Sequence, residues 1–111
     1  MFELLKNEQD INHFLQNEDL FFLYISKYNC SVCHSLLPQL EPIMERYPRI
    51  VSRQVIVDEI PALASKFSIF TAPVLLLFVN GKEYLREARF VHLDQFQSKL
   101  DKVTLQFSGG F

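Results

Sequence analysis

Long apolar runs are missing from this sequence. The longest, Val74 to Val79, has six residues, far short of the ~20 that a membrane-spanning helix needs. An excess of charge of one sign is missing too: 11 Lys and Arg stand against 13 Asp and Glu, for a net charge of -2. Composition forces no basic face, so nucleic-acid binding has no electrostatic footprint. The N-terminal stretch Met1-Phe2-Glu3-Leu4-Leu5-Lys6-Asn7 has an acid at Glu3 and no basic segment ahead of a long apolar one. No secretory signal is read from it, and the expected compartment is the cytoplasm. No repeat, low-complexity tract or interior linker divides the chain. What is present, 111 residues and 13.0 kDa, is material for one domain. That domain is expected over residues 1–107, with a flexible tail at 108–111 around Gly109 and Gly110. A hydrophobic share of 49% is too high for a disordered chain.

Cysteine is scarce as well. Cys30 and Cys33 are the only two. A bridge between positions i and i+3 closes too small a loop to remove much entropy from the unfolded state, so its value is chemical rather than structural. In a reducing compartment such a pair is catalytic, redox-sensing or metal-binding.

The surrounding pattern supplies a frame. Glu3 to Leu5 reads as a short edge strand. Asn7 is a helix cap, with Asp10 as its capping-box-like partner, ahead of Ile11, Phe14 and Leu15 at helical spacing. Leu20 to Ile25 is apolar on both faces and reads as a buried central strand, with an exit loop over Ser26 to Asn29. From Cys30 a helix carries Leu36, Leu37, Leu40, Ile43, Met44 and Tyr47 on one stripe. Pro38 predicts a kink in it, Pro42 a second irregularity, and Pro48 its end. Ile50 to Val57 is a strand, Asp58 to Phe67 a short helix, and Val74 to Val79 a strand buried on both faces. Asn80-Gly81 is a hairpin signal returning Lys82 to about Phe90 antiparallel. Leu93, Phe96, Leu100 and Val103 mark the last helix. Strands separated by helices are expected to pair in parallel, with the hairpin adding an antiparallel edge. The fold class is α/β, a mixed four- or five-stranded sheet with helices on both faces.

A dithiol after a buried strand, at the first turn of a helix, has a definite chemistry. The first helical N–H groups lack intrahelical partners and the helix dipole is positive there. A Cys30 thiolate is stabilised at that point, while Cys33 lies one turn further in and is more shielded. The asymmetry assigns Cys30 as nucleophile and Cys33 as the thiol that resolves the mixed disulfide.

At these residues the chain resembles the thioredoxin superfamily. The resemblance rests on Cys30-Ser31-Val32-Cys33 after Leu20–Ile25, on Pro38, and on Lys66-Phe67-Ser68-Ile69. It continues through Thr71-Ala72-Pro73 with Val74–Phe78 and then Asn80-Gly81, spanning about residues 3–103. It implies a thioredoxin fold with a cis bond before Pro73, facing the dithiol. It also implies that Thr71, Ala72 and Pro73 bind substrate, the backbone of Ala72 pairing with it in the manner of an added strand. The pattern departs from the family at several positions. Asn29 replaces a tryptophan before the first cysteine, and Ser31-Val32 replaces Gly-Pro. Tyr24 replaces a buried aspartate, Gln54 stands near a lysine position, and Arg89 stands near a glycine. Loss of both ionisable partners makes proton transfer from Cys33 slow or routed through water. Tyr24 and His34 are the candidates for tuning the thiol pKa. His34 acts as a nearby imidazolium or, pointing about 100° away from Cys33 at the next helical position, is merely solvated.

Other patterns weigh less. Cys30-Ser31-Val32-Cys33-His34 matches a haem-attachment motif, but it sits inside an α/β pattern with no evident second axial ligand. Two cysteines and His34 fall short of the four ligands of a structural zinc site, so no metal is expected. His13 and His92 read as surface or capping residues. Lys27 and Tyr28 read as a solvated loop, and Arg46, Arg49 and Arg53 as a solvated turn. The phenylalanines read mostly as core, and exposed ones near the dithiol would mark a protein-binding face. The expected function is thiol–disulfide exchange with protein or low-molecular-weight disulfides, without a bound cofactor. The expected partners are a disulfide-containing protein substrate and a reducing partner protein or low-molecular-weight thiol. The alternative is a binding or adaptor module on the same fold, with weak or regulatory redox activity.

Overall fold

A computed structural model describes residues 2–88 and 90–107. The expected tail at 108–111 and the departure at Arg89 lie outside those residues. The elements are β1 (Glu3–Leu4), α1 (Glu8–Asn17), β2 (Leu20–Ser26), α2 (Ser31–Glu45), β3 (Val51–Ile56), a 3-10 turn (Val57–Glu59), α3 (Leu63–Lys66), β4 (Val74–Val79), β5 (Lys82–Ala88) and α4 (Leu93–Phe107). The five strands form one sheet in the order β1-β3-β2-β4-β5. This is the mixed α/β sheet the sequence implies.

The centre of the sheet follows from composition. Every residue of β2 and every residue of β4 is buried, as strands covered on both faces must be. Alternate side chains feed two cores. Phe22, Tyr24, Leu75 and Leu77 point to one side, with Leu36 and Leu40 of α2 and Phe96 and Leu100 of α4. Phe21, Leu23, Ile25 and Leu76 point to the other, with Ile11 of α1 and Leu63 of α3. Each fully buried side chain of this size contributes about 1.5–3 kcal/mol. The N-cap of α1 is the expected one: Asn7 Oδ1 accepts from the Asp10 amide at 2.9 Å.

Strand direction differs from the sequence expectation at one place. β3 is parallel to β1 and β2, but β4 is antiparallel to β2, with Ile25 opposite Val74 and Leu20 opposite Val79. Of the 57–73 connection only the 3-10 turn and the four-residue α3 are helical, so no long helix runs back along β3; the chain crosses over β2 at the edge where β2 and β3 end and starts β4 there. The single helix expected over Asp58–Phe67 is likewise two short pieces, the 3-10 turn and α3, separated by Ile60 in a non-helical conformation.

Helix α2 runs from Ser31 to Glu45 through both Pro38 and Pro42 and ends before Pro48. Pro38 cannot donate to the carbonyl of His34, nor Pro42 to that of Pro38. His34, Pro38 and Pro42 lie at i, i+4 and i+8 on the exposed face, where water takes the place of the missing donors. Arg53 also departs from expectation. It does not belong to a solvated turn with the exposed Arg46 and Arg49. It sits in β3, where its guanidinium lies 4.8 Å from the Phe14 ring centre and 3.3 Å from Glu3.

The hairpin places Asn80 at φ 52° and Gly81 at φ 80°, the left-handed pair of a two-residue turn. A Cβ at Gly81 would also stand 2.7 Å from the carbonyl oxygen of Leu15. Gly81→Ala is therefore expected to destabilise the fold by about 1–3 kcal/mol, read as a lower midpoint in urea with unchanged m-value. An unchanged midpoint would show that the turn relaxes freely.

Candidate active site

The site begins where β2 leaves the sheet. Ser26 ends the strand, Lys27–Asn29 make the exit, and Asn29 is left-handed at φ 57°. Cys30 then takes the N-cap position of α2. Its sulfur accepts a hydrogen bond from the Cys33 amide at 3.2 Å, and its carbonyl accepts from the His34 amide at 3.2 Å. A cap position is normally filled by an oxygen; here a sulfur faces the free amides and the positive end of the helix dipole. Cys30 and Cys33 are joined in a disulfide with Cα atoms 5.3 Å apart. Cys30 is half-buried and Cys33 fully buried.

Behind Cys33 stands Tyr24. Its ring is completely buried, and its hydroxyl donates to the Cys33 carbonyl at 2.6 Å. Burial pushes the phenol far above its ordinary range, so it is neutral at physiological pH. Gln54 is its cross-strand partner on β3 and is half-buried. His34 is exposed on the first turn of α2.

Because β4 starts beside the end of β2, the segment Thr71-Ala72-Pro73 arrives next to the dithiol. Ala72 packs on the same core cluster as Cys30 and Cys33. The Ala72–Pro73 bond is cis, Pro73 is buried, and Thr71 is half-buried. Thr71 lines a cavity of about 120 Å³ with Lys27, Val57, Ala64, Ile69 and Phe70. Among the described residues most phenylalanines are core, as expected, but Phe70 is 89% exposed and Phe90 is 82% exposed. Phe70 directly precedes Thr71. Phe90 lies two residues past Ala88, the partner of Val74. Both therefore lie toward the end of the sheet that carries Cys30, as does the exposed Val32.

Two supports had no usable sequence signal. The exit loop is not simply solvated. Although Tyr28 is half exposed, its amide donates to Asp58 Oδ2 at 2.6 Å and its hydroxyl donates to Glu59. That bond from Tyr28, with help from Lys6, holds the Glu59 carboxyl below its usual range. The second support is Arg86 on β5. Its guanidinium donates to the carbonyls of Phe67 at 2.6 Å and Ser68 at 3.3 Å, and to both carboxylate oxygens of Glu83. It fixes the turn at Ser68, left-handed at φ 54°, that feeds the Thr71–Pro73 segment. Nothing in the residue types of 67 and 68 announces such a clamp.

His13 and His92 are exposed and far along the chain from this site. His13 sits against Phe14, and the His92 carbonyl accepts from the Phe96 amide at the start of α4. Among the described residues no group of three or more His, Cys, Asp or Glu is gathered to hold a metal ion, and no helix is long and apolar enough to cross a membrane.

Comparison with known proteins agrees with this geometry. The thioredoxin family profile matches residues 3–102. The thioredoxin-like protein YdfQ of Bacillus subtilis is 43% identical over 99 residues, covering 89% of this chain and 88% of that protein. Thioredoxin-1 of Saccharomyces cerevisiae is 39% identical over 54 residues, 49% of this chain and 52% of that one. The solution structure of oxidised thioredoxin from Plasmodium falciparum superposes with a TM-score of 0.82 at 19% identity, over 90% of this chain and 98% of that chain. The chain belongs to the thioredoxin family, and its general class is that of the thiol–disulfide oxidoreductases.

The Arg86 clamp has a pH signature. The hydrogen bond from Arg86 holds the Glu83 carboxyl below its ordinary value. A depressed carboxyl stabilises the fold fully above the unfolded pKa of ~4.3 and loses that contribution as pH falls through the folded value. Glu83→Gln is expected to flatten the loss of stability in urea titrations below about pH 5. An acid limb as steep as that of wild type would remove this pair from the account.

Proposed function

We propose that the chain exchanges its Cys30–Cys33 dithiol with disulfides of protein substrates in the cytoplasm. The observation that carries the reading is the sulfur of Cys30 in the N-cap position, accepting from the Cys33 amide. In the reduced form that position favours the thiolate. The Cys30 thiolate attacks a substrate disulfide, forming a Cys30–substrate bond and expelling one substrate thiolate. Cys33 then attacks the Cys30 sulfur, closing the intramolecular disulfide and expelling the second substrate thiolate; the proton of Cys33 goes to solvent. Two electrons pass to the substrate. A reducing partner protein or a low-molecular-weight thiol restores the dithiol, so the cycle needs no bound cofactor.

Thr71, Ala72 and Pro73 are the substrate-positioning segment in this reading. Their place beside the dithiol supports it, the Ala72 backbone being the part that pairs with an extended peptide in this reading. Exposed Phe70, Phe90 and Val32 favour a protein over a small thiol as the oxidised substrate, because large exposed apolar side chains grouped at one end mark a binding face. His34 lies on the exposed side of the helix.

Reduction of insulin by the reduced protein tests the reading. Wild type is expected to turn over and Cys30→Ser to be inactive while folded. Cys33→Ser is expected to accumulate a mixed disulfide at Cys30. Alkylation of Cys30 by iodoacetamide should titrate below the ~8.5 of a free thiol. The same exposed phenylalanines also fit a binding module with regulatory cysteines. A folded, inactive wild type with an unshifted alkylation midpoint would favour that second reading and overturn the first.

A further inference from the structure

Resolution of a mixed disulfide needs the Cys33 thiol to lose a proton, and no carboxylate, lysine, arginine or histidine among the described residues is fully buried beside it. Ser26 is the only buried polar or charged residue among those described. Two half-buried carboxylates border the apolar cluster that holds Cys33, and each is engaged elsewhere: Glu41 of α2 accepts from the Phe2 amide at 3.0 Å, and Glu87 of β5, opposite Leu75, pairs with Lys99 of α4 at 3.3 Å. Onto that cluster β1 brings Phe2, β4 brings Leu75 and Leu77, and α4 brings Phe96, none with a titratable atom. Helix α2 adds Cys30, and beyond its end Tyr47 donates to Asp101 of α4. Half-buried Gln54 on β3 does not titrate. The exposed His34 faces away, toward solvent. What remains is Tyr24.

Tyr24 is not a base. Its hydroxyl proton is already donated to the Cys33 carbonyl at 2.6 Å, and burial keeps the phenol neutral. The carbonyl it holds belongs to the resolving residue itself. It lies next to the His34 carbonyl, which Pro38 leaves without a helical donor. A hydroxyl fixed on β2, the most buried strand, thus anchors the first turn of α2 where the backbone ladder is interrupted.

We propose that Tyr24 is a positioning residue for the resolving thiol, anchoring Cys33 through its carbonyl, and that the Cys33 proton leaves to solvent past the half-buried Cys30 rather than into the protein. The inference rests on the dithiol chemistry proposed above. Two consequences separate it from a base-assisted mechanism. The resolving rate follows the thiolate fraction set by bulk pH. Removal of the Tyr24 hydroxyl lowers that rate without changing its pH dependence.

The test uses reduced full-length protein and the aromatic disulfide 5,5′-dithiobis(2-nitrobenzoate). Attack by Cys30 releases one coloured thiolate; attack by Cys33 on the Cys30 mixed disulfide releases a second and one proton. The second release is followed by stopped flow across neutral pH in wild type and Tyr24→Phe. In wild type its rate is expected to climb about tenfold per pH unit with no plateau between about pH 6 and pH 8, as the thiolate fraction does. In Tyr24→Phe it is expected to lie about 3–10-fold lower at every pH, the cost of a misplaced reacting group. A plateau in the wild-type profile, or a changed slope in the variant, would place a proton acceptor inside and overturn the proposal. An unchanged rate in the variant would make the hydroxyl merely structural and overturn it as well. If Tyr24→Phe does not fold, the wild-type profile alone decides whether an internal base exists, and Tyr24→Trp, bulky but without that hydroxyl, replaces it for the rate comparison. Absence of the first coloured release would instead remove the dithiol reading itself.

Discussion

The arrangement turns on one hydrogen bond, from the Cys33 amide to the Cys30 sulfur at the first turn of α2. A helix start leaves amides unpaired, and something must accept from them. In most helices an oxygen does so and the matter ends there. Here the acceptor is a reactive atom, so the requirement that stabilises the helix also favours a negative sulfur. The partner sulfur belongs to the residue whose amide donates. Folding of one turn therefore sets both the surroundings of the Cys30 sulfur and the position of Cys33 beside it.

That turn is held in place by what lies beneath it. β2 is buried along its whole length and ends where α2 begins, so the dithiol stands over a rigid strand. Tyr24 extends the strand's hold upward to the Cys33 carbonyl. The contacts of Tyr28 with Asp58 and Glu59 hold the exit loop from the side. These exposed bonds are individually weak, and the buried one from Tyr24 has the larger consequence because no water can replace it. The apolar interior keeps Cys33 shielded while Cys30 remains half open. Position in the fold is what leaves the two sulfurs unequally exposed.

Much of this was legible in the residues. Leu20–Ile25 could only be a strand covered on both faces, Asn80-Gly81 could only be a tight turn, and the dithiol between a strand and a helical stripe fixed its own address. The direction of β4 was not legible from element order, because order alone does not show at which edge of the sheet the 57–73 connection returns. The break of the 58–67 segment at Ile60 was hidden for a related reason: Asp58 and Pro61 each resemble a helix start, and two starts close together make two short pieces. Arg53 reads as one of three arginines near a turn, yet its period-two position in β3 turns it onto Phe14. Arg86 and its carbonyl partners at Phe67 and Ser68 lie far apart in sequence, and left-handed Ser68 lacks the glycine that would have marked it.

The reversal of β4 is what completes the site. Had β4 run parallel to β2, its first residues would lie at the opposite edge of the sheet, a full strand length from Cys30. Running antiparallel, it begins with Pro73 beside the end of β2, and Thr71 and Ala72 are delivered to the dithiol. The hairpin then sends β5 back along β4, which returns Ala88 to the level of Val74 and carries Phe90 toward the same end. Arg86 on that returning strand closes the circuit by holding the carbonyls of Phe67 and Ser68. The return of the chain at the edge where β2 ends thus gathers Cys30, Cys33, the cis-proline segment and two exposed aromatic rings at one edge.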